Sequence, residues 1–211
     1  MRTRGGTNAW FPPACGGARG GDSNDNGSTT RSEGEPTDWR GWRTYWAALW
    51  AWADARLPQL ADGTPDTAHE QSDVVHDVLA HLAERMIALH KQKQASAATF
   101  TGWLEQETGS VIEEWSLKTV IHSFWEQPWN EIERAIQKNR GKCVQAAGMR
   151  GKQADIAIQP LVRVAQGHWE IARRSLTPTI AAIIATDRLI DLLVYRLYGL
   201  TDAEIDLVEG G

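Results

Sequence analysis

Two heptad-spaced apolar stripes constrain this chain more than any other feature. Val75, Leu79, Leu82, Met86 and Leu89 step by four and three residues, and the register continues through Lys93 and Ser96 to Phe100 and Trp103. Side chains at that spacing share one side of an α-helix, and a helix with one such stripe needs a partner helix to cover it. The second stripe is Leu176, Ile180, Ile183, Asp187, Ile190, Val194 and Leu197, with one carboxylate inside it. Together they predict an all-α fold: a long antiparallel, coiled-coil-like helical pair with smaller helices packed at its ends. No segment alternates apolar and polar residues with the strand period of two.

The helix boundaries are punctuated. Asp62-Gly-Thr-Pro65 predicts a turn, and Thr67-Ala-His-Glu70 has the spacing of a capping box that starts the first long helix, with Gly109 as its stop. Pro128 is expected to open a further helix with Trp129, Ile132 and Ile136 as its apolar face, ended by Gly141. Pro178 either starts the second long helix or kinks a longer one that begins after Pro160. Gly199 ends that helix. Thr201-Asp-Ala-Glu204 then reads as a second capping box, with Leu200 and Ile205 spaced as a hydrophobic staple, and a last short helix runs to about Glu209.

Tryptophan is over-represented, with 11 Trp against three Phe and three Tyr. Trp39, Trp42, Trp46, Leu49 and Ala53 recur at helical spacing and predict an amphipathic helix ending near Pro58. Trp beside Arg also suits a membrane surface, but Asp38 and Asp54 dilute the positive charge and favour burial against protein. Residues 37–66 are thus a Trp-rich helix and turn, and 67–211 a helical domain. Residues 1–36 hold Gly16-Gly17, Gly20-Gly21 and a polar run from Asp22 to Thr30, a composition that predicts a disordered arm.

Motif chemistry is sparse. His69-Glu70 begins like a zinc-protease motif, yet the next histidine is His76, seven positions from His69 rather than four. Phe11-Pro-Pro-Ala14 has its aromatic on the wrong side for the Asn/Asp-Pro-Pro-aromatic loop of amino methyltransferases, and no acid stands two positions before a lysine as a metal-dependent nuclease motif requires. No catalytic, cofactor-binding or metal-ligating residue is therefore expected. The two cysteines, Cys15 and Cys143, form no framework, no signal peptide is readable, and no apolar run approaches a membrane span, so a cytoplasmic protein is expected.

Charge is segmented in this chain of net charge −5, because residues 137–175 carry eight Lys and Arg against two acids. Lys138, Arg140, Lys142, Arg150, Lys152, Arg173 and Arg174 are candidate contacts to a DNA backbone. The same charges can instead neutralise the acidic segments on either side by packing beside them.

Two stretches carry a resemblance. Leu82-Ala-Glu-Arg-Met-Ile-Ala-Leu-His-Lys-Gln-Lys-Gln94 with Phe100-Thr-Gly-Trp-Leu-Glu-Gln-Glu-Thr-Gly109, and the tail from Ala185 through Tyr198-Gly-Leu-Thr-Asp-Ala-Glu-Ile-Asp-Leu-Val-Glu-Gly210, resemble the C-terminal helical region of type IIG-like restriction-modification proteins that methylate the exocyclic amine of adenine. The likeness covers roughly residues 67–210 and implies a fragment or split subunit of a DNA-modification system. Its partners would be a catalytic methyltransferase or endonuclease chain and duplex DNA. S-adenosylmethionine would belong to the catalytic domain, which this sequence lacks. The runner-up is a free-standing helical oligomerisation or interaction protein. In the first reading the Trp faces and heptad seams form the core or a docking surface, and Trp39 to Trp52, outside the resemblance, are a candidate surface for a missing partner.

Overall fold

The structure, a computed structural model, describes residues 36–210. Residues 1–35, which contain almost all of the expected disordered arm together with Phe11-Pro-Pro-Ala14 and Cys15, lie outside that range. Among the described residues there are seven α-helices: α1 (Trp39–Tyr45), α2 (Ala47–Asp54), α3 (Ser72–Thr108), α4 (Lys118–His122), α5 (Trp129–Lys138), α6 (Lys152–Leu197) and α7 (Asp202–Glu209). The only strand-like pairing described is an isolated bridge between Gln59 and Pro65. The all-α fold with a long helical pair, α3 and α6, is therefore as the two stripes require. Two compact units divide the described chain, one from 36–83 with 186–210 and the other from 84–185.

In the first unit the tryptophan stripe faces inward. Trp39, Trp42, Trp46 and Ala53 are all buried, in keeping with the expected packing of this face against protein, while Trp50 and Trp52 are half-buried. The single helix expected up to Pro58 is instead two helices, because Trp46 leaves helical geometry (φ −101°, ψ 26°). Asp38 caps α1 by accepting from the Gly41 amide at 2.7 Å. The helix is fastened to α7 by Asp206, which accepts from the Trp39 indole at 3.0 Å and from both terminal nitrogens of Arg40 at 2.7 Å. The Asp62 turn forms as expected, with Gly63 at φ +85° and the Leu60 amide donating to the Thr64 carbonyl at 2.8 Å.

Thr67 does not cap a helix. Asp66 takes the local amides instead, its carboxylate accepting from Ala68 at 3.2 Å and its carbonyl from Glu70 at 3.0 Å, so 67–70 is a turn and α3 starts at Ser72. The downstream punctuation does form. Gly199 (φ +66°) follows α6, with the Leu200 amide reaching back to the Tyr195 carbonyl at 3.0 Å. Thr201 and Glu204 make the reciprocal capping box, and Ile205 is buried as the staple requires.

The second apolar stripe needs a correction from Thr186 onward, where Ile190, Val194 and Leu197 are only half-buried. Asp187 is exposed and its neighbour Thr186 is buried along with Leu189, Leu192 and Leu193. The buried line shifts by one residue, so a hydroxyl goes inside where the spacing had placed a carboxylate. Burying a hydroxyl costs far less than burying a charge.

The second unit holds the main core. α3 from Glu84 and α6 up to Ala185 run antiparallel there, with Trp103 stacked on His168, and Ser96 and Ser175 lining one groove. Phe100, Leu104, Phe124, Ile132, Ile136, Ile158 and Trp169 fill the interior. Lys93, a polar position in the first stripe, lies over the Trp125 ring at 5.2 Å rather than in a gap. Gly109 stops α3 at φ +63°, Pro128 stands just outside α5, and α5 ends at Lys138, with Asn139 rather than Gly141 as its terminal cap.

α6 is longer than the prolines suggested. It runs unbroken from Lys152 to Leu197 with Pro160 and Pro178 inside it, so neither proline starts it. Each proline removes one backbone hydrogen bond, a cost of up to about 3 kcal/mol in a helix interior. Burial of Ala154, Ile158, Leu161, Val162, Ala165, Trp169 and Leu176 along the opposite face offsets that cost.

Candidate functional site

Within the second unit α6 has two apolar faces. Successive residues on an α-helix are separated by about 100°, which puts Ala154, Ile158, Leu161, Ala165, Trp169 and Leu176 on the buried side. The opposite side carries Ile156, Pro160, Val164, Gly167, Ile171 and Pro178. Ile156, Val164 and Ile171 are 63%, 55% and 68% exposed, where a surface helix ordinarily presents polar residues. The 22 steps from Ile156 to Pro178 cover about 33 Å of helix at 1.5 Å each.

One edge of this face is cationic. Lys152, Arg163 and Arg174 follow at intervals of 11 residues, about three turns, so they form a column with a spacing of about 16 Å. All three are exposed, and none makes an ion pair or side-chain hydrogen bond among the described residues. The nearby carboxylate of Glu170 is already met by the Gln166 amide at 3.3 Å.

The other edge opens into a groove of about 290 Å³ lined by Ser96, Thr99, Phe100 and Trp103 of α3 and by His168, Ile171, Ala172 and Ser175 of α6. It exists because small residues face one another: Ser96 occupies a stripe position that a leucine would fill, and Ala172 and Ser175 lie opposite. Trp103 and His168 wall its end, their rings parallel within 11° and their centroids 3.9 Å apart. Ile171 belongs both to the groove and to the outward face, so the two are continuous.

The seven cations singled out in the sequence do not converge. Lys138, Arg140 and Lys142 lie at the end of α5 and in the 3₁₀ turn after it, and Arg150 and Lys152 at the start of α6. Arg173 and Arg174 are about 32 Å further along α6. Arg140 pairs with Asp155 at 2.7 Å, and Lys142 donates to the Glu114 carbonyl. Arg173 lies over the Trp169 ring at 5.2 Å. Lys138, Arg150, Lys152 and Arg174 make no such contact among the described residues. The basic segment is thus split between internal neutralisation and unpaired surface charge.

The outward face of α6 went unread in the sequence, although its steps of four, four, three and four from Ile156 to Ile171 are visible there. Treating Pro160 and Pro178 as boundaries broke the pattern into pieces. Elsewhere, burial pushes the Cys143 thiol up to about 11, which makes it a packing residue rather than a nucleophile. Among the described residues no group of three or more His, Cys, Asp or Glu is placed to hold a metal ion, and no helix is long and apolar enough to cross a membrane. No protein-family model, curated protein or solved structure matches this chain.

Proposed function

We propose that this chain is a non-catalytic helical module that supports the catalytic or target-recognition parts of a restriction-modification adenine-specific DNA methyltransferase. The observation that carries the reading is the outward apolar face of α6, which leaves Ile156, Val164 and Ile171 in water on a helix whose other side is already packed. Contiguous exposed apolar surface rimmed by polar residues marks interaction sites. The resemblance of residues 82–109 and 185–210 supplies the class of partner, a methyltransferase or endonuclease chain that carries S-adenosylmethionine and the reacting groups itself. Such a module acts in the cytoplasm beside duplex DNA, and Lys138, Arg150, Lys152 and Arg174 are the cations left to touch phosphates.

The test is co-expression of the tagged chain with a candidate adenine-methyltransferase chain. A 1:1 complex that methylates adenine in duplex DNA, with no methyl transfer by this chain alone, supports the reading. Turnover by the isolated chain contradicts it, as does failure of the two chains to associate. A free-standing oligomerisation protein would use the same apolar face, and sedimentation of the isolated chain separates the two, since that alternative requires a stable oligomer with no affinity for DNA at low salt.

A further inference from the structure

We infer that the outward face of α6 takes an acidic amphipathic helix from its partner protein. This rests on the docking reading above and adds the chemistry of the occupant. The middle of the face is the apolar line Ile156, Val164 and Ile171, and one edge is the column of unpaired cations Lys152, Arg163 and Arg174. The whole chain has a net charge of −5, so this cationic column is a local feature rather than a consequence of composition. A straight occupant of about 33 Å, matched to α6, is most simply another helix. Leucine or isoleucine at three- and four-residue steps would cover the apolar line, and carboxylates three turns apart would reach the cations. One large apolar side chain would enter the groove beside Trp103 and His168, bounded below by buried Phe100.

Two other occupants fit less well. In a two-fold pair of this chain the cation column would face cations if the α6 helices ran antiparallel and the groove edge if they ran parallel, and neither supplies a carboxylate. Duplex DNA would satisfy those cations but leave Ile156, Val164 and Ile171 against a hydrated polyanion, with no gain from their burial.

The experiment is calorimetric titration of the full-length chain with a synthetic helix of about 25 residues, leucine on one face and glutamate at three-turn intervals on its flank. A lysine-for-glutamate version and a short DNA duplex serve as competing probes. The glutamate helix should bind, and Val164→Glu and the pair Arg163→Glu with Arg174→Glu should each weaken it at least about tenfold, a loss of about 1.4 kcal/mol. The lysine helix should bind the Arg-to-Glu pair better than it binds the unaltered chain. Val144→Glu, at a valine just as exposed (59%) but off α6, should change nothing. Circular dichroism checks that each variant is folded, and Ile171→Glu replaces Val164→Glu if the latter is not.

Absence of binding by the glutamate helix overturns the inference, as does equal binding of the lysine helix. So does DNA binding that falls with the arginine changes while Val164→Glu leaves it intact, or a dimer of the unaltered chain that Val164→Glu dissociates. None of these outcomes involves the methyltransferase, so failure of that partnership and failure of this surface are separate results.

Discussion

Trp103 of α3 and His168 of α6 stack face to face, 3.9 Å between centroids and 11° from parallel, above the core where the two helices run antiparallel in the second unit. Ring stacking adds about 0.5–1.5 kcal/mol beyond the area it buries. His168→Ala should therefore lower stability by about 1 kcal/mol without changing helicity, because the residue is exposed and the core lies beneath it. Thermal unfolding by circular dichroism measures this; a loss of helix content would mean that the stack nucleates the pairing rather than trimming it.

Leu82 is almost fully buried in the first unit, as the first heptad stripe requires. Leu82→Asp removes that side chain and introduces a charge with no described partner. We expect a loss of about 3 kcal/mol or more, with a sharp drop in melting temperature. Unchanged denaturant unfolding would show that the stripe is not a helix–helix seam.

Buried Asn139 closes the turn after α5 by pairing with the backbone of Ser116, accepting from its amide at 2.8 Å and donating to its carbonyl at 2.7 Å. A third bond goes to the Ala135 carbonyl at 2.8 Å. Asn139→Leu strips all three and leaves those backbone groups to find water, so a loss of about 2–4 kcal/mol is expected. Equilibrium urea unfolding checks it, and a change under 1 kcal/mol would show that solvent reaches the site (roughly the worth of one exposed bond).

Hydrogen bonds from Arg40 and the Trp39 indole hold the Asp206 carboxyl down at about 2, below its ordinary 3.8. A depressed carboxylate stabilises the fold above its unfolded pKa, and that contribution disappears as the pH falls through the folded value. The stability gap between the unaltered chain and Asp206→Asn should be constant above about pH 5 and close progressively between pH 4 and pH 2. Paired acid titrations followed by tryptophan fluorescence test the sign. A gap that widens on acidification would contradict it.

Pro160 and Pro178 are exposed residues inside α6. Replacing either with alanine restores a backbone donor, so Pro160→Ala should raise stability by about 1–3 kcal/mol. A destabilised variant would mean that α6 needs the proline geometry for its packing.

The parts of the fold legible in the sequence were those set by side chains within one or two turns. The inward face of Trp39, Trp42 and Trp46 and the Thr201–Glu204 box needed only local spacing. The parts that were not legible depend on competition. Asp66 captures the Glu70 amide that a Thr67 capping box would have used, and Thr186 displaces Asp187 from the buried line because desolvating a carboxylate costs more. The path of α6 through two prolines was hidden because local propensity argues against it, while the burial of Ile158, Ala165 and Trp169 that outweighs it comes from residues distant in sequence. The outward face of α6 was lost for the same reason, and with it the candidate docking surface.

Photo-crosslinking from Val164 bears most directly on whether that surface docks a partner. Val164 and Val144 belong to the same unit and are almost equally exposed, at 55% and 59%, so a photoreactive residue placed at each, in the full-length chain co-expressed with the methyltransferase chain, compares two faces under identical conditions. Docking through α6 predicts a crosslinked complex from position 164 and none from position 144. Equal yields from the two positions, or a crosslink from 144 alone, would contradict it.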